Sequence, residues 1–158
     1  MRAIVTLLFL LALSFAAGED VVITSDRFEA DESSRVTRFL GHVRMKKGSD
    51  ELNATKVTVY FDAKRKPKRY EAVGKVSFVI HMKENGQWYT GKSERLVYRP
   101  KGQVYELYGH VVLKEPARDR TVTGEKVIVE KLSGKALVEG QGDRPVKFIF
   151  RVEENNAS

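Results

Sequence analysis

The chain has 158 residues, 42% of them hydrophobic, and a formal charge of +7, enough for one domain with its own core and short for two. It contains no cysteine, which excludes a disulfide framework, a thiolate metal site and a lipid anchor on an N-terminal thiol. A basic surface suits an anionic membrane face, an anionic lipid headgroup or nucleic acid, and equally a plainly solvated exterior.

Met1-Arg2 is followed by the apolar run IVTLLFLLALSFAA, Ile4 to Ala17, and by the small-residue patterns Ser14-Phe15-Ala16 and Ala16-Ala17-Gly18. Its 14 residues fall short of the roughly 20 that cross a bilayer. Residues 1–17 therefore read as a secretory signal cleaved near 16–18, with retention as an anchor the alternative. Loss of Arg2 leaves a mature charge of +6.

Beyond this leader, helical periodicity gives way to alternation. Thr55-Val57-Val59-Phe61, Tyr70-Ala72-Gly74-Val76-Phe78-Ile80 and Tyr105-Leu107-Gly109-Val111-Leu113 predict strands with one apolar face toward a core and one polar face toward water. These runs belong to an internal repeat of four units. In chain order the units are SDRFEADESSRVTRFLGHVRM, ATKVTVYFDAKRKPKRYEAVGKVSFVI, GKSERLVYRPKGQVYELYGHVVL and GEKVIVEKLSGKALVEGQGDRPVKFIF. The anchors Phe28, Val57, Leu96 and Val127 precede Gly41, Gly74, Gly109 and Gly140 by 13, 17, 13 and 13 residues. Each unit predicts strand, turn and returning strand, with Pro100-Lys101-Gly102 and Ser133-Gly134 at hairpin tips. A glycine within a strand predicts a bend, a bulge or a close backbone approach. No single unit covers its own apolar face, so stacked units must share a core. One domain over 21–150 and a polar tail over 151–158 follow.

Several motifs dissolve once the repeat is seen. GQWYTGKS, residues 86–93, matches a phosphate-binding pattern, but no strand-loop-helix context accompanies it, and Thr90-Gly91 recurs as Thr123-Gly124. The position after each repeat glycine holds His42, Lys75, His110 or Gln141. A site that accepts imidazole, ammonium and amide reads as solvent-facing, and metal coordination would want three or four converging ligands. No serine lies beside a histidine in a nucleophile turn, and the carboxylates are scattered among lysines and arginines, as on a solvated face. The cluster Lys64, Arg65, Lys66, Lys68 and Arg69 sits in the long turn of the second unit; it reads plainly as a soluble tip, and functionally as a contact for phosphates or an acidic partner. Aromatics are not interleaved with these basic residues, so a nucleic-acid platform is not read here. The sequons at Asn53 and Asn156 matter only where the source glycosylates.

The leader, the opening VVITSDRFEAD, units typified by TGEKVIVEKLSGKALVEG, and the closing GQGDRPVKFIF together resemble the OstA-like proteins, and within them the soluble periplasmic LptA-type branch. The resemblance covers about Val21 to Phe150. It implies an all-β jelly roll of two facing antiparallel sheets, open like a V and built from about four two-stranded repeats. It also implies a non-enzymatic lipopolysaccharide carrier of the periplasm, without cofactors, metal or nucleic acid. Lipid A acyl chains would lie in the interior, and terminal strands would join an LptC-like inner-membrane component, an LptD-like outer-membrane component and further copies head to tail. On this reading the inward anchors line the lipid groove: Phe28, Val57, Val59, Phe61, Val76, Phe78, Leu96, Tyr98, Val111, Leu113, Val127 and Val129. The alternatives are an anchored LptC-like component and a structural β-repeat protein with a closed core.

Overall fold

The computed structural model describes residues 20–81 and 88–152. The leader, the Gly86-Gln87 start of the phosphate-like pattern and Asn156 in the tail lie outside the described residues. Ten strands run from Val21 to Phe150: β1 Val21–Thr24, β2 Arg27–Asp31, β3 Val36–Lys47, β4 Asp50–Phe61, β5 Pro67–His81, β6 Trp88–Arg99, β7 Val104–Glu115, β8 Arg120–Glu130, β9 Lys135–Glu139 and β10 Lys147–Phe150. A 3-10 turn, Pro116–Arg118, is the only helical element among the described residues.

All ten strands form one antiparallel hydrogen-bonded sheet, ordered β1-β3-β4-β5-β6-β7-β8-β10, with β2 also on β3 and β9 also on β8. The register slips at Leu40/Val43, Asn53/Lys56, Val73/Val76, Lys92/Arg95 and Tyr108/Val111. Gly41-His42 thus opposes Thr55, Gly74-Lys75 opposes Glu94, and Gly109-His110 opposes Glu125. Both residues of each bulge have positive φ: 79° and 45°, 87° and 45°, 79° and 46°. Glycine supplies the first of these conformations at little steric cost. Because the slips fall near the middle of successive long strands, the sheet bends along one line into two facing layers.

One layer holds β2, β9 and one half of each long strand; the other holds β1, β10 and the remaining halves. The two sheets expected from the sequence are therefore two arms of one sheet, joined at the bulges and open toward the hairpin tips. This arrangement matches the expected jelly roll and explains the unbroken backbone pairing across the bend.

Two local expectations need correction. The alternation groups Thr55 with Val57, Val59 and Phe61, yet it is exposed while they are buried. The strand opposite a bulge sends two consecutive residues outward, so the inward phase passes from Ala54 to Val57. Ser93 and Leu96, and Gly124 and Val127, repeat the same shift on β6 and β8. The fourth unit also departs: β9 stops at Glu139, Gly140 lies outside the strand, and Gln141 pairs with Arg144 in a turn before β10. The glycine that bends the first three returning strands ends the fourth.

The core lies between the arms. Val43, Val57, Val59, Val76, Val111 and Val127 are all at most 1% exposed, and burying each such side chain contributes about 1.5–3 kcal/mol. The outer face of the first arm is covered by side-chain ladders, with Arg95 on Glu71 at 2.9 Å and Arg99 on Glu106 at 3.3 Å. Their aliphatic stems help to bury Val97 and Thr58 on the outside of the sheet.

Candidate functional site

Between the arms lies a cavity of about 420 Å³ that opens toward the hairpin tips. One wall is built by Val57, Tyr70, Ala72, Leu96, Tyr98 and Tyr105, and the other by Met45, Leu52, Phe78 and Ile80. These residues meet because directly paired residues of an antiparallel ladder share a face. Leu52 pairs with Phe78 and Phe78 with Gly91, while Tyr70 pairs with Tyr98 and Tyr98 with Tyr105. Gly91 is shaped by this packing, since a Cβ there would overlap the Phe78 ring.

All twelve residues assigned to the inner face come together. Val57, Val59, Phe61, Val76, Phe78, Leu96, Val111 and Val127 are core members, and Phe28, Tyr98, Leu113 and Val129 pack against them half-buried. Only Val57, Phe78, Leu96 and Tyr98 of the twelve line the cavity itself. The rest form the closed part of the interior or the ends of the trough. The sequence-based lining omits Met45 and Leu52, and it leaves Tyr70, Ala72, Ile80 and Tyr105 on the apolar faces of their strands without assigning them to the groove.

It also missed the C-terminal continuation of the lining. Phe148 pairs with Val122, which pairs with Leu113, so the three share the inner face. Phe148 and Phe150 are 53% and 56% exposed, with ring centroids 5.3 Å apart. The apolar surface therefore runs out of the interior onto an uncovered edge.

The mouth is polar. Lys46, Lys47, Asp50, Glu51, Gln103 and Lys131 line it. Asp50 accepts the His81 N–H at 2.7 Å and Glu51 meets Arg44 at 3.3 Å. Lys46, Lys47 and Lys131 have no ion pair among the described residues. Just inside, the Tyr98 and Tyr105 rings stack at 4.5 Å, and Tyr70 lies 5.9 Å from Tyr98. Burial pushes the Tyr70 and Tyr105 phenols far above their ordinary range, and the neighbouring Tyr98 adds to both.

The basic cluster sits elsewhere. Lys64, Arg65, Lys66 and Lys68 are exposed in the β4–β5 tip, and none of the five lines the cavity. The tip is organised by Asp62, which accepts the Lys64 and Lys66 N–H groups at 2.8 and 3.0 Å. The backbone hydrogen bond from Lys66 holds the Asp62 carboxyl below its usual range. Arg69 lies 4.0 Å over the Tyr60 ring on the outer face.

Along the bend, the two echoing histidines face solvent and pair with acids on the preceding strand or its turn. His42 Nδ1 is 2.7 Å from Asp26, and His110 Nδ1 is 2.7 Å from Glu94. At the second bulge Thr55 donates its hydroxyl to the Gly74 carbonyl at 3.2 Å. At the fourth position Arg144, rather than Gln141, reaches Glu125 at 3.5 Å. Among the described residues no group of three or more His, Asp or Glu converges as a metal site would need. No described helix is long and apolar enough to cross a membrane.

The arrangement is an apolar interior with a polar mouth. The sequence model of the family described as "LptA/(LptD N-terminal domain) LPS transport protein" matches residues 22–135. No curated protein matches the chain by sequence. Among solved structures, the fold is similar to the crystal structure of LptH, the LptA-homologous periplasmic component of the lipopolysaccharide transport device of Pseudomonas aeruginosa. That likeness has a TM-score of 0.74 at 15% identity and covers 85% of this chain and 96% of that one.

Proposed function

The chain belongs to the family of LptA and LptD N-terminal-domain lipopolysaccharide-transport proteins, a family of carriers rather than enzymes, and from that premise we propose that it is a periplasmic carrier and bridge. It shields the acyl chains of lipopolysaccharide between the arms of its jelly roll and hands the lipid on from the inner membrane toward the outer one. The periplasmic setting of LptH and the leader-like segment 1–17 support that location. On this reading the leader is cleaved near residues 16–18; an intact Met1 in the membrane fraction would instead favour an anchored, LptC-like component.

The observation that carries the proposal is the apolar inner face, which lines the cavity and continues to Leu113, Val122 and Phe148 at the C-terminal edge. Each CH₂ group moved out of water gains about 0.8 kcal/mol, so a trough that shelters acyl chains removes the main barrier to crossing an aqueous space. The cavity falls within the range of about 300–1,000 Å³ typical of small-ligand pockets. On this reading, holding several acyl chains requires the arms to part further at their tips, about the bulge line that joins them.

The edges support assembly. Strands β2 (RFEAD) and β9 (KALVE) carry charges of both signs, whereas β1 (VVIT) has none and β10 (KFIF) a single lysine. Charged edges discourage strand addition and uncharged ones invite it. Head-to-tail pairing of β1 with β10 of a second copy would extend the trough, and the same edges would meet LptC-like and LptD-like partners. Photo-crosslinking in cells from Leu113 and Ile80 tests the carrier reading. Lipopolysaccharide adducts at both support it, and their absence at both, with the fold intact, favours a closed core.

A further inference from the structure

Resting on the carrier reading, we infer that Tyr98 and Tyr105 form a polar subsite in the groove. It takes the oxygens at the head of an acyl chain, namely the ester or amide carbonyl and the neighbouring hydroxyl, while Lys47 and Lys131 face the adjoining phosphate.

Elsewhere the rows beside the cavity are mostly aliphatic, with Phe39 in the core and Phe78 on the cavity wall; Tyr89, paired with Ile80, and the buried Thr37, paired with Val59, are single hydroxyls rather than a cluster. If ring packing alone were needed, phenylalanine would fill the first arm equally well. Instead the ladder Tyr70, Tyr98, Tyr105 places three phenols side by side. Bringing a hydroxyl out of water costs free energy unless it finds a partner. Tyr98 and Tyr105 lie close enough for their hydroxyls to interact with one another. One such bond uses one of their two O–H donors, so the pair keeps a donor for a third oxygen.

Location fixes what that oxygen belongs to. The pair sits on the cavity wall between the aliphatic floor of Val57, Ala72 and Leu96 and the mouth at Gln103, Lys47 and Lys131. An amphiphile lying chain-inward presents its moieties in the same order: hydrocarbon, then carbonyl and hydroxyl oxygens, then phosphate. Glu51 is paired with Arg44 and Asp50 accepts the His81 backbone N–H, so Lys46, Lys47 and Lys131 outweigh Asp50 and leave the mouth positive toward an anion; Lys47 alternates onto the same face as Met45 of the cavity wall. The subsite would set how deep the lipid sits, a positioning role rather than a general apolar one.

The test compares the wild type with a Tyr98→Phe/Tyr105→Phe double variant and a Tyr98→Phe single variant, using two probes. Bisphosphorylated lipid A carries the head oxygens, and diphenylhexatriene is a hydrocarbon fluorophore without them. The double variant is expected to lose about tenfold in lipid A affinity, the size of one or two neutral hydrogen bonds, with an intermediate loss in the single variant. Diphenylhexatriene affinity and the unfolding midpoint stay unchanged. Equal lipid A binding by wild type and double variant overturns the subsite and leaves the carrier standing. A parallel loss of both probes also overturns it, by showing a packing role alone. A wild type that binds neither probe overturns the carrier reading together with the subsite.

Discussion

His42 Nδ1 lies 2.7 Å from Asp26 Oδ2 across the first bulge of the bent sheet. The hydrogen bond from the imidazole to Asp26 and the carboxylate charge raise the His42 pKa above the ordinary histidine value of about 6.5. A raised folded pKa contributes stability that is fully present below the unfolded value and is lost as pH rises through the folded one. Both side chains are largely exposed, so salt screens the effect. An NMR titration should place the His42 midpoint above 6.5 in the wild type, and Asp26→Asn should return it toward that value. Equal midpoints in the two proteins would show that Asp26 does not hold the imidazole.

The contact between Gly91 and Phe78 yields a stability prediction. In Gly91→Ala the new methyl overlaps the Phe78 ring, and overpacking a filled core costs about 1–3 kcal/mol. Thermal unfolding should occur several degrees lower than in the wild type. Phe78→Leu in the same chain should recover part of the loss, because it removes the ring that the methyl strikes. Independent, additive losses would contradict that mechanism.

Leu96 is 4% exposed and lies on the cavity floor. Leu96→Ala should lower unfolding stability by about 2–5 kcal/mol, read by chemical denaturation with an unchanged m-value. A loss below ~1 kcal/mol would mean that the arms collapse onto the site, as a soft trough would and a packed core would not.

The exposed pair Phe148 and Phe150 gives a prediction about assembly. A Phe148→Ser/Phe150→Ser variant should fold normally, since both side chains are more than half exposed. Sedimentation of the wild type should show concentration-dependent association that the variant lacks. A sharp monomer for both proteins at high concentration would remove β10 from the proposed joint.

Much of this architecture was legible in the sequence, for physical reasons. Strand side chains alternate strictly between bulges, so Tyr70 to Ile80 and Tyr105 to Leu113 declared their inner faces directly. The spacing of Gly41, Gly74 and Gly109 located the bend, because the first bulge position combines a φ of 79° to 87° with a neighbouring side chain, Asp26, Thr55 or Glu94, that leaves no room for a Cβ. What stayed hidden depended on pairing across strands. Thr55 follows the alternation of β4 yet points outward, because the Gly41-His42 bulge on the neighbouring strand resets the phase. Arg144 replaces Gln141 at the fourth vertex position because β9 ends at Glu139, a change that no spacing within the repeat encodes. The cavity wall escaped for a similar reason. Tyr98 stood out as a repeat anchor, while Tyr70 and Tyr105 gain meaning only once the ladder sets them beside it. Phe148 reads as a tail residue until its pairing with Val122 places it in the inner row.

The central claim is that the trough between the arms, and not the outer surface, receives the lipid. Methyl NMR of the purified protein titrated with lipopolysaccharide tests it most directly. The account predicts saturable shifts at Leu52, Ile80 and Leu113 on the inner face, with Val112 and Ile128 on the outer face unmoved. A folded protein whose inner methyls do not respond, or whose shifts are confined to Val112 and Ile128, would contradict it.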